Sequence, residues 1–350
     1  MIVERRGNLL LDDAQALVNT VNIVGVMGKG LALQFKRAFP ANFDAYVQAC
    51  SEGRVRPGRI FVTPLPNDRW ILNFPTKRHW RHPSRLEDIQ SGLDALIRTA
   101  VDLGLASIAL PPVGCGNGGL DWSIVRPLII EKLGGLDIEI RLYGPGTPAP
   151  EEMPVRTPRP ELTKGRARLL AGLHRYSTLA YAAGVAVDTN TSLLEAHKVV
   201  YLLQAAGASM DYRFARGHYG PFSNDLNRDI SVLEGHYLIG YGDGTGGARA
   251  DLRMLPAAEL AEDRLTGDPD FAAAWQRVES AVCGYEYPDG MELLSTVHLL
   301  AVEQETGGDP NVIARAVADW SDRKRRLFPP EDVQLAWAQL RASELLSRVV

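Results

Sequence analysis

Apolar and polar positions change period repeatedly along the first 145 residues. The stretch "ALVNTVN" (16–22) is short and apolar and ends in asparagine, which reads as a strand. "GLALQFKRAFP" (30–40) has helical apolar spacing and a stop at Pro40. "RIFVTPL" (59–65) and "RWILNFP" (69–75) read as two strands joined by a turn at Pro66, Asn67 and Asp68. "LEDIQSGLDALIRTAVDLG" (86–104) predicts an amphipathic helix closed by Gly104. A buried strand (107–114), a helix (122–134) and a last strand (138–144) follow. Strand and helix alternate, so the expected fold class is α/β, with helices on both faces of a sheet. Ligands in such sheets bind beyond the carboxyl ends of the strands. Two glycine-rich loops, 25–30 and 114–119, fall at such ends.

The pattern breaks at "YGPGTPAPEEMPVRTPRP" (143–160), which is rich in Pro and Gly and has neither period. It predicts an extended linker, placed at 146–162 between domains 1–145 and 163–350. In the second domain, 192–207, 269–282, 290–304 and 330–350 carry helical period. A mainly helical domain is expected, with a small strand element near 211–242.

Composition adds little to the fold but something to the partners. The 350 residues suit two domains at roughly 100–200 residues each. No apolar run approaches the ~20 residues of a membrane helix, and "MIVERRGNLLLDD" has charges too early for a secretion signal. Cys50, Cys115 and Cys283 lie far apart without a CxxC, so neither zinc nor a disulfide framework is favoured, and a reducing cytoplasm fits. Residues 1–150 hold 17 basic against 14 acidic side chains, net +3, and 151–350 hold 21 against 28, net −7. Between Asp225 and Asp309 the count is 5 against 17, net −12. Either the two halves meet different kinds of partner, or the acidic stretch is a solvated surface.

"GVMGKG" (25–30) precedes a helix, and small residues there let backbone amides approach an anion. It is not a P-loop, since Leu31 follows Gly30. "GCGNGG" (114–119) again follows a strand, and two such loops facing one crevice suit a diphosphate; glycine turns alone are common. Asn22 ends a strand just before the first loop, where its amide can meet sugar hydroxyls or cap a turn; Asn19 also suits a structural role.

"GNLLLDDAQALVNTVNIVGVMGKGLALQFK", "NFPTK" and "PPVGCGNGGLDW" resemble the macrodomain, an ADP-ribose-binding α/β fold, over roughly residues 1–145. Within that fold they resemble the DarG-type DNA ADP-ribosyl glycohydrolase antitoxins, related to the macrodomain that removes terminal ADP-ribose from proteins. The resemblance implies a three-layer α/β/α macrodomain with a mixed central sheet. It implies that Asn8, Leu9 and Asn22 line the ADP-ribose site, and that Gly25, Val26, Met27, Gly28, Lys29 and Gly30 form the first loop. It implies that Thr76 and Pro112 flank the site, and that Gly114, Cys115, Gly116, Asn117, Gly118, Gly119 and Leu120 form the second loop. It implies that Lys77 is the catalytic residue. The related protein glycohydrolase has an Asp in its GCG loop, where this chain has Asn117-Gly118. Asp121, before Trp122, fits a helix cap instead, so Lys77 has no assigned carboxylate partner.

A neutral amine attacks an anomeric carbon or its ring-opened aldehyde, and desolvation or neighbouring cations lower a lysine pKa toward that form. After Lys77 come Arg78, His79, Trp80, Arg81 and Arg85. These can hold phosphates and stack on bases of single-stranded DNA, or form a solvated loop with Trp80 tucked inward. In the second half, "EAHKVVYLLQAAG" and "FARGHYGPFSNDLNRDI" resemble the SocA-like (Panacea) antitoxin-associated domain, and the half as a whole resembles the toxin-binding part of the DarG type. His197, His218 and His236 lack metal-like spacing and suit core or loop positions. The expectation is an antitoxin without metal or cofactor, ADP-ribose being ligand and product. Its first domain releases ADP-ribose from thymidine in DNA, and its second blocks the cognate DarT-type ADP-ribosyltransferase. A non-catalytic ADP-ribose reader and a protein ADP-ribosyl glycohydrolase are the alternatives.

Overall fold

The computed structural model describes residues 1–146, 148–149, 152–303 and 308–346. Parts of the expected linker (147, 150 and 151) and the ends of two expected helices (304 and 347–350) lie outside them. The chain divides into two compact units, Met1–Pro158 with Gly242–Thr245, and Arg159–Tyr241 with Gly246–Val350. The division falls near the end of the expected linker. Residues 152–156 pack on unit 1, where Asn8 Nδ2 donates to the Glu152 carbonyl at 2.6 Å and the Arg156 amide to the Arg37 carbonyl at 2.9 Å.

Unit 1 runs β1 (Ile2–Arg5), β2 (Ala16–Asn22), α1 (Gly30–Ala38), α2 (Pro40–Ser51), β3 (Phe61–Leu65), β4 (Arg69–Lys77), α3 (Leu86–Asp102), β5 (Ser107–Leu110), α4 (Trp122–Leu133) and β6 (Glu139–Tyr143). Among the described residues these strands form a six-stranded sheet in the order β1-β6-β5-β2-β4-β3. The β3–β4 pair is antiparallel and the others are parallel, so the sheet is mixed. The period of two along the strands assigns the layers. Ala16, Val18, Leu72 and Phe74 pack with Ile89 and Leu93 of α3 and Val125 and Ile129 of α4. Leu17 and Ile71 pack with Phe35 and Ala38 of α1, and Val21 with Tyr46 and Ala49 of α2. The result is the expected three-layer α/β/α sandwich. The helix α2 was not expected: Pro40 ends α1 but also occupies the first turn of α2, where its missing N–H costs nothing.

Unit 2 contains α5 (Lys164–Ala182), β7 (Thr191–Ser192), α6 (Leu193–Ala205), β8 (Ala215–Gly217), β9 (Gly220–Phe222), α7 (Asn224–Leu233), β10 (Leu238–Ile239), β11 (Asp251–Met254), α8 (Leu260–Arg264), α9 (Pro269–Val282), α10 (Pro288–Glu303), α11 (Pro310–Trp320), α12 (Asp322–Leu327) and α13 (Pro330–Ala342). It is mainly helical, as expected, and β8 to β10 fall within 211–242. Its core centres on α6 and α10, with Val199, Leu202, Leu294 and Val297 fully buried. Ser192 and Glu195 close a capping box at the start of α6.

Unit 2 also buries charge. Lys324 Nζ donates to Glu292 Oε1 at 2.5 Å and to Thr296 Oγ1 at 3.1 Å, and neither Lys324 nor Glu292 has any exposure. Lys198 Nζ donates to the Pro221 carbonyl at 2.7 Å. Burial, reinforced by the Lys324 charge, pushes the Lys198 amine down to about 7.

Candidate active site

Strands β5, β2 and β4 lie side by side and parallel, so their carboxyl ends share one edge of the sheet. From that edge emerge the first glycine loop after β2, the second after β5, and Lys77 at the end of β4. The register between β2 and β4 runs from Ala16↔Trp70 to Val21↔Pro75 and then skips to Asn22↔Lys77. Thr76 is therefore one residue extra, a bulge that re-aims the side chain after it.

The Lys77 amine reaches across to the second loop. It donates to the Asn117 carbonyl, and to the Trp80 carbonyl at 3.4 Å. Partial desolvation holds its pKa below the ordinary lysine value, which raises the share of neutral amine at a given pH.

The two glycine loops approach closely. Gly30 sits at φ +64°, and a Cβ there would lie 2.5 Å from Asn117 Nδ2. Gly114, at φ +78°, faces Leu120 and Ile89, where a Cβ would come within 2.9 and 3.0 Å. Gly118 backs onto Ser84 and the Gly114 carbonyl, leaving no room for a side chain. Within the second loop the Cys115 amide donates to Pro112, Gly119 to Gly116, and Leu120 to Gly114, each at 3.0 Å. Burial pushes the Cys115 thiol up to about 11, so it stays protonated and is no nucleophile near neutral pH. Asp121 caps α4 through the Ser123 amide at 2.8 Å, as its position before Trp122 suggested.

Asn22 shapes the first loop from beneath. Its Oδ1 accepts from the amides of Val24 at 3.0 Å and Val26 at 3.3 Å, and its Nδ2 donates to the Val26 carbonyl at 2.5 Å. Tyr46 of α2 donates to the Asn22 carbonyl at 2.7 Å. Met27 is buried under the loop, while Val26, Gly28 and Lys29 are exposed. Asn19 is wholly buried and donates to Asn73 Oδ1 at 2.9 Å, and Asn73 donates on to Asn42 Oδ1 at 2.8 Å. It is a structural amide. Asn8 accepts from the Leu10 amide at 3.0 Å, so with the Glu152 contact both ends of its side chain are engaged; Leu9 beside it is core.

The basic run divides. Arg78 forks onto Asp88 of α3, with Nε and Nη2 each 3.1 Å from a carboxylate oxygen. Trp80 is 46% exposed, with the Arg81 guanidinium 4.5 Å from its ring centre and the His79 ring stacked at 5.6 Å. Arg85 is exposed at the start of α3. The Ser84 amide donates to the Gly118 carbonyl at 2.9 Å. Sequence reading missed Ser84, Asp88 and Tyr46. Asp88 stands in the first turn of a predicted helix, but nothing local pairs it with Arg78.

In unit 2, His197 accepts from the Ser223 amide at 3.2 Å and its other nitrogen meets Asn227 Oδ1 at 3.0 Å; burial pushes its pKa down to about 4. It is a neutral core histidine. Several acids of the −12 stretch are paired inside the unit: Asp225 with Arg213, Asp229 with Arg166, Glu262 with Arg175 and Asp268 with Arg168. Among the described residues no three His, Cys, Asp or Glu side chains group as metal ligands, and no helix is long and apolar enough to cross a membrane.

The sandwich and its two loops define a macrodomain, and the Macro domain family matches residues 18–129. The chain is 45% identical to a Thermus aquaticus DNA ADP-ribosyl glycohydrolase over 95% of its own length and 90% of that protein. It is 38% identical to a Mycobacterium tuberculosis protein of the same name, over 96% of this chain and 98% of that one. A Thermosipho africanus DNA ADP-ribosyl transferase-DNA ADP-ribosyl glycohydrolase fusion protein is 36% identical over 40% of each chain. The chain belongs to the DarG-type DNA ADP-ribosyl glycohydrolase family.

Proposed function

We propose that unit 1 hydrolyses ADP-ribose from thymidine in single-stranded DNA, with Lys77 as nucleophile. One observation carries this reading: the Lys77 amine meets the second glycine loop at the edge where both loops and the bulged strand converge. The two loops bind the diphosphate through backbone amides, which brings the distal ribose against Lys77. The neutral amine attacks the anomeric carbon, the bond from that carbon to the base breaks, and the departing nitrogen takes up a proton. Water then displaces the amine and releases ADP-ribose. The route draws on no metal or cofactor.

Arg81, Arg85, His79 and Trp80 form the DNA-facing rim, where cations meet phosphates and Trp80 stacks on a base. Unit 2 binds and neutralises the DNA ADP-ribosyltransferase that installs the modification, a reading supported by the fused relative. The exposed acids of this stretch from 225 to 309, Glu259, Asp263 and Glu279 among them, face the transferase's DNA groove in place of phosphates. Reversing their charge weakens the complex; unchanged affinity excludes that face. The proposed site of action is the cytoplasm.

Incubating an ADP-ribosylated oligonucleotide with wild type and Lys77→Ala tests the chemistry. Release by wild type alone supports it, and equal release by both excludes Lys77. No release by wild type leaves an ADP-ribose reader. A modified protein run in parallel reports a protein substrate instead.

A further inference from the structure

Arg78 follows the proposed catalyst and heads the basic run, yet its guanidinium is spent on Asp88. Both fork distances are 3.1 Å, and the Asp88 side chain is 8% exposed while that of Arg78 is 54%. Asp88 lies in the first turn of α3, where the helix dipole favours an anion. A carboxylate buried that deeply requires a partner, and a planar fork is the geometry that fits it. Arg78 is thus fixed from below by a group that faces the core.

What the fork fixes is the segment 78–85. The fork ties its first residue to α3. The Ser84 amide ties its other end to the Gly118 carbonyl, and the His82 amide closes a turn onto the His79 carbonyl at 3.1 Å. Between the ties lies the Trp80 carbonyl, which accepts from the Lys77 amine. The path runs from Asp88 to Arg78, to the held segment, to one of the two carbonyls that hold the Lys77 amine. We propose that Arg78 is a positioning residue for Lys77, acting through the Asp88 fork, and not a reader of DNA phosphates. The inference rests on the proposed hydrolase reading.

The experiment uses the full chain with Arg78→Met, Arg78→Lys and Asp88→Asn. It measures kcat and KM on an ADP-ribosylated oligonucleotide, and binding of the unmodified oligonucleotide across a salt series. A positioning role lowers kcat about tenfold or more in all three, with KM within about twofold and the salt slope unchanged. Arg78→Lys keeps the charge and loses the fork. Asp88→Asn leaves Arg78 in place and makes the rim more positive, so a phosphate reader would bind more tightly there and keep its kcat. The proposal is overturned if Arg78→Met weakens binding and lowers the salt slope by about 0.7, the change for one lost phosphate contact on a single strand, while kcat holds. Unchanged kcat in all three overturns it as well. Where Arg78→Met does not fold, Arg78→Lys and Asp88→Asn decide. Should wild type release no ADP-ribose, the hydrolase reading fails on its own. The Lys77 amine is then followed by 15N NMR through a pH titration of the free protein. Breaking the fork moves its titration if Arg78 aims it, and an unmoved titration overturns the inference.

Discussion

Each unit holds a lysine that desolvation pushes below its ordinary pKa and whose amine donates to backbone carbonyl oxygen, yet the two differ in shift and in exposure. Lys198 in unit 2 is the more strongly shifted, to about 7, but it is 2% exposed and its amine is spent on a buried carbonyl. Lys77 in unit 1 is shifted less, by desolvation alone, and stands partly exposed at the mouth of two glycine loops. A depressed pKa marks burial as readily as it marks catalysis. What separates the two lysines is place: one is closed in a helical core, and the other stands at the strand edge from which both glycine loops emerge.

The largest effect that can break this comparison is on catalysis. Lys77→Ala lowers the rate of ADP-ribose release by at least about 10³-fold, or ~4 kcal/mol of barrier, while Lys198→Met leaves it within about twofold. A single-turnover assay that shows the reverse ends the comparison.

Next comes the charge that holds the buried lysines. Glu292→Ala leaves the Lys324 ammonium without its carboxylate and destabilises unit 2 by about 3 kcal/mol, read as a lower urea midpoint in the full chain. An unchanged midpoint means that Lys324 is neutral when folded.

The third effect is spread over several pH units. Below pH 7 the Lys198 amine is charged in both states, and the folded chain bears the full desolvation cost. Between about 7 and the ordinary 10.5 the unfolded chain keeps a proton that the folded chain has lost, so stability rises with pH across that window. Lys198→Met flattens the rise, visible in urea melts at pH 7 and pH 9.5. An identical slope in both proteins rules out Lys198 as its source.

The smallest effect sharpens the other side. Gly30→Ala forces a Cβ against Asn117 at φ +64°, at a cost of about 1–2 kcal/mol, and weakens ADP-ribose binding roughly tenfold by calorimetry. Tighter binding would mean that the loops do not need that close approach.

The elements of unit 1 were largely legible from period alone. "ALVNTVN" is β2 to the residue, and the helix expected at 86–104 ends two residues early. The helix α2 was hidden because Pro40 serves as both stop and start. The bulge at Thr76 was hidden too, since it exists only in the pairing of β4 with β2. In unit 2, α5, α7, α8, α11 and α12 were not foreseen. Caps at Thr163, Ser223 and Asp309 mark the starts of α5, α7 and α11, whereas the short α8 adds only Ala261 to the core and α12 buries Lys324 instead of an apolar face, so neither has an apolar period to read. The site residues on the loops were readable from glycine spacing and from resemblance. The Arg78–Asp88 fork was not, because its ends lie ten positions apart, across irregular chain and a helix start.

The bulge has a consequence for anyone wishing to use this protein as a reagent. A strand counts in twos, and Thr76 makes β4 odd just before Lys77. Removing that residue leaves Lys77 opposite Asn22 but takes away the kink that aims its amine, while both glycine loops keep their sequences. On the proposed role of Lys77, the deletion would convert a hydrolase into a capture probe, a protein that grips its mark without erasing it.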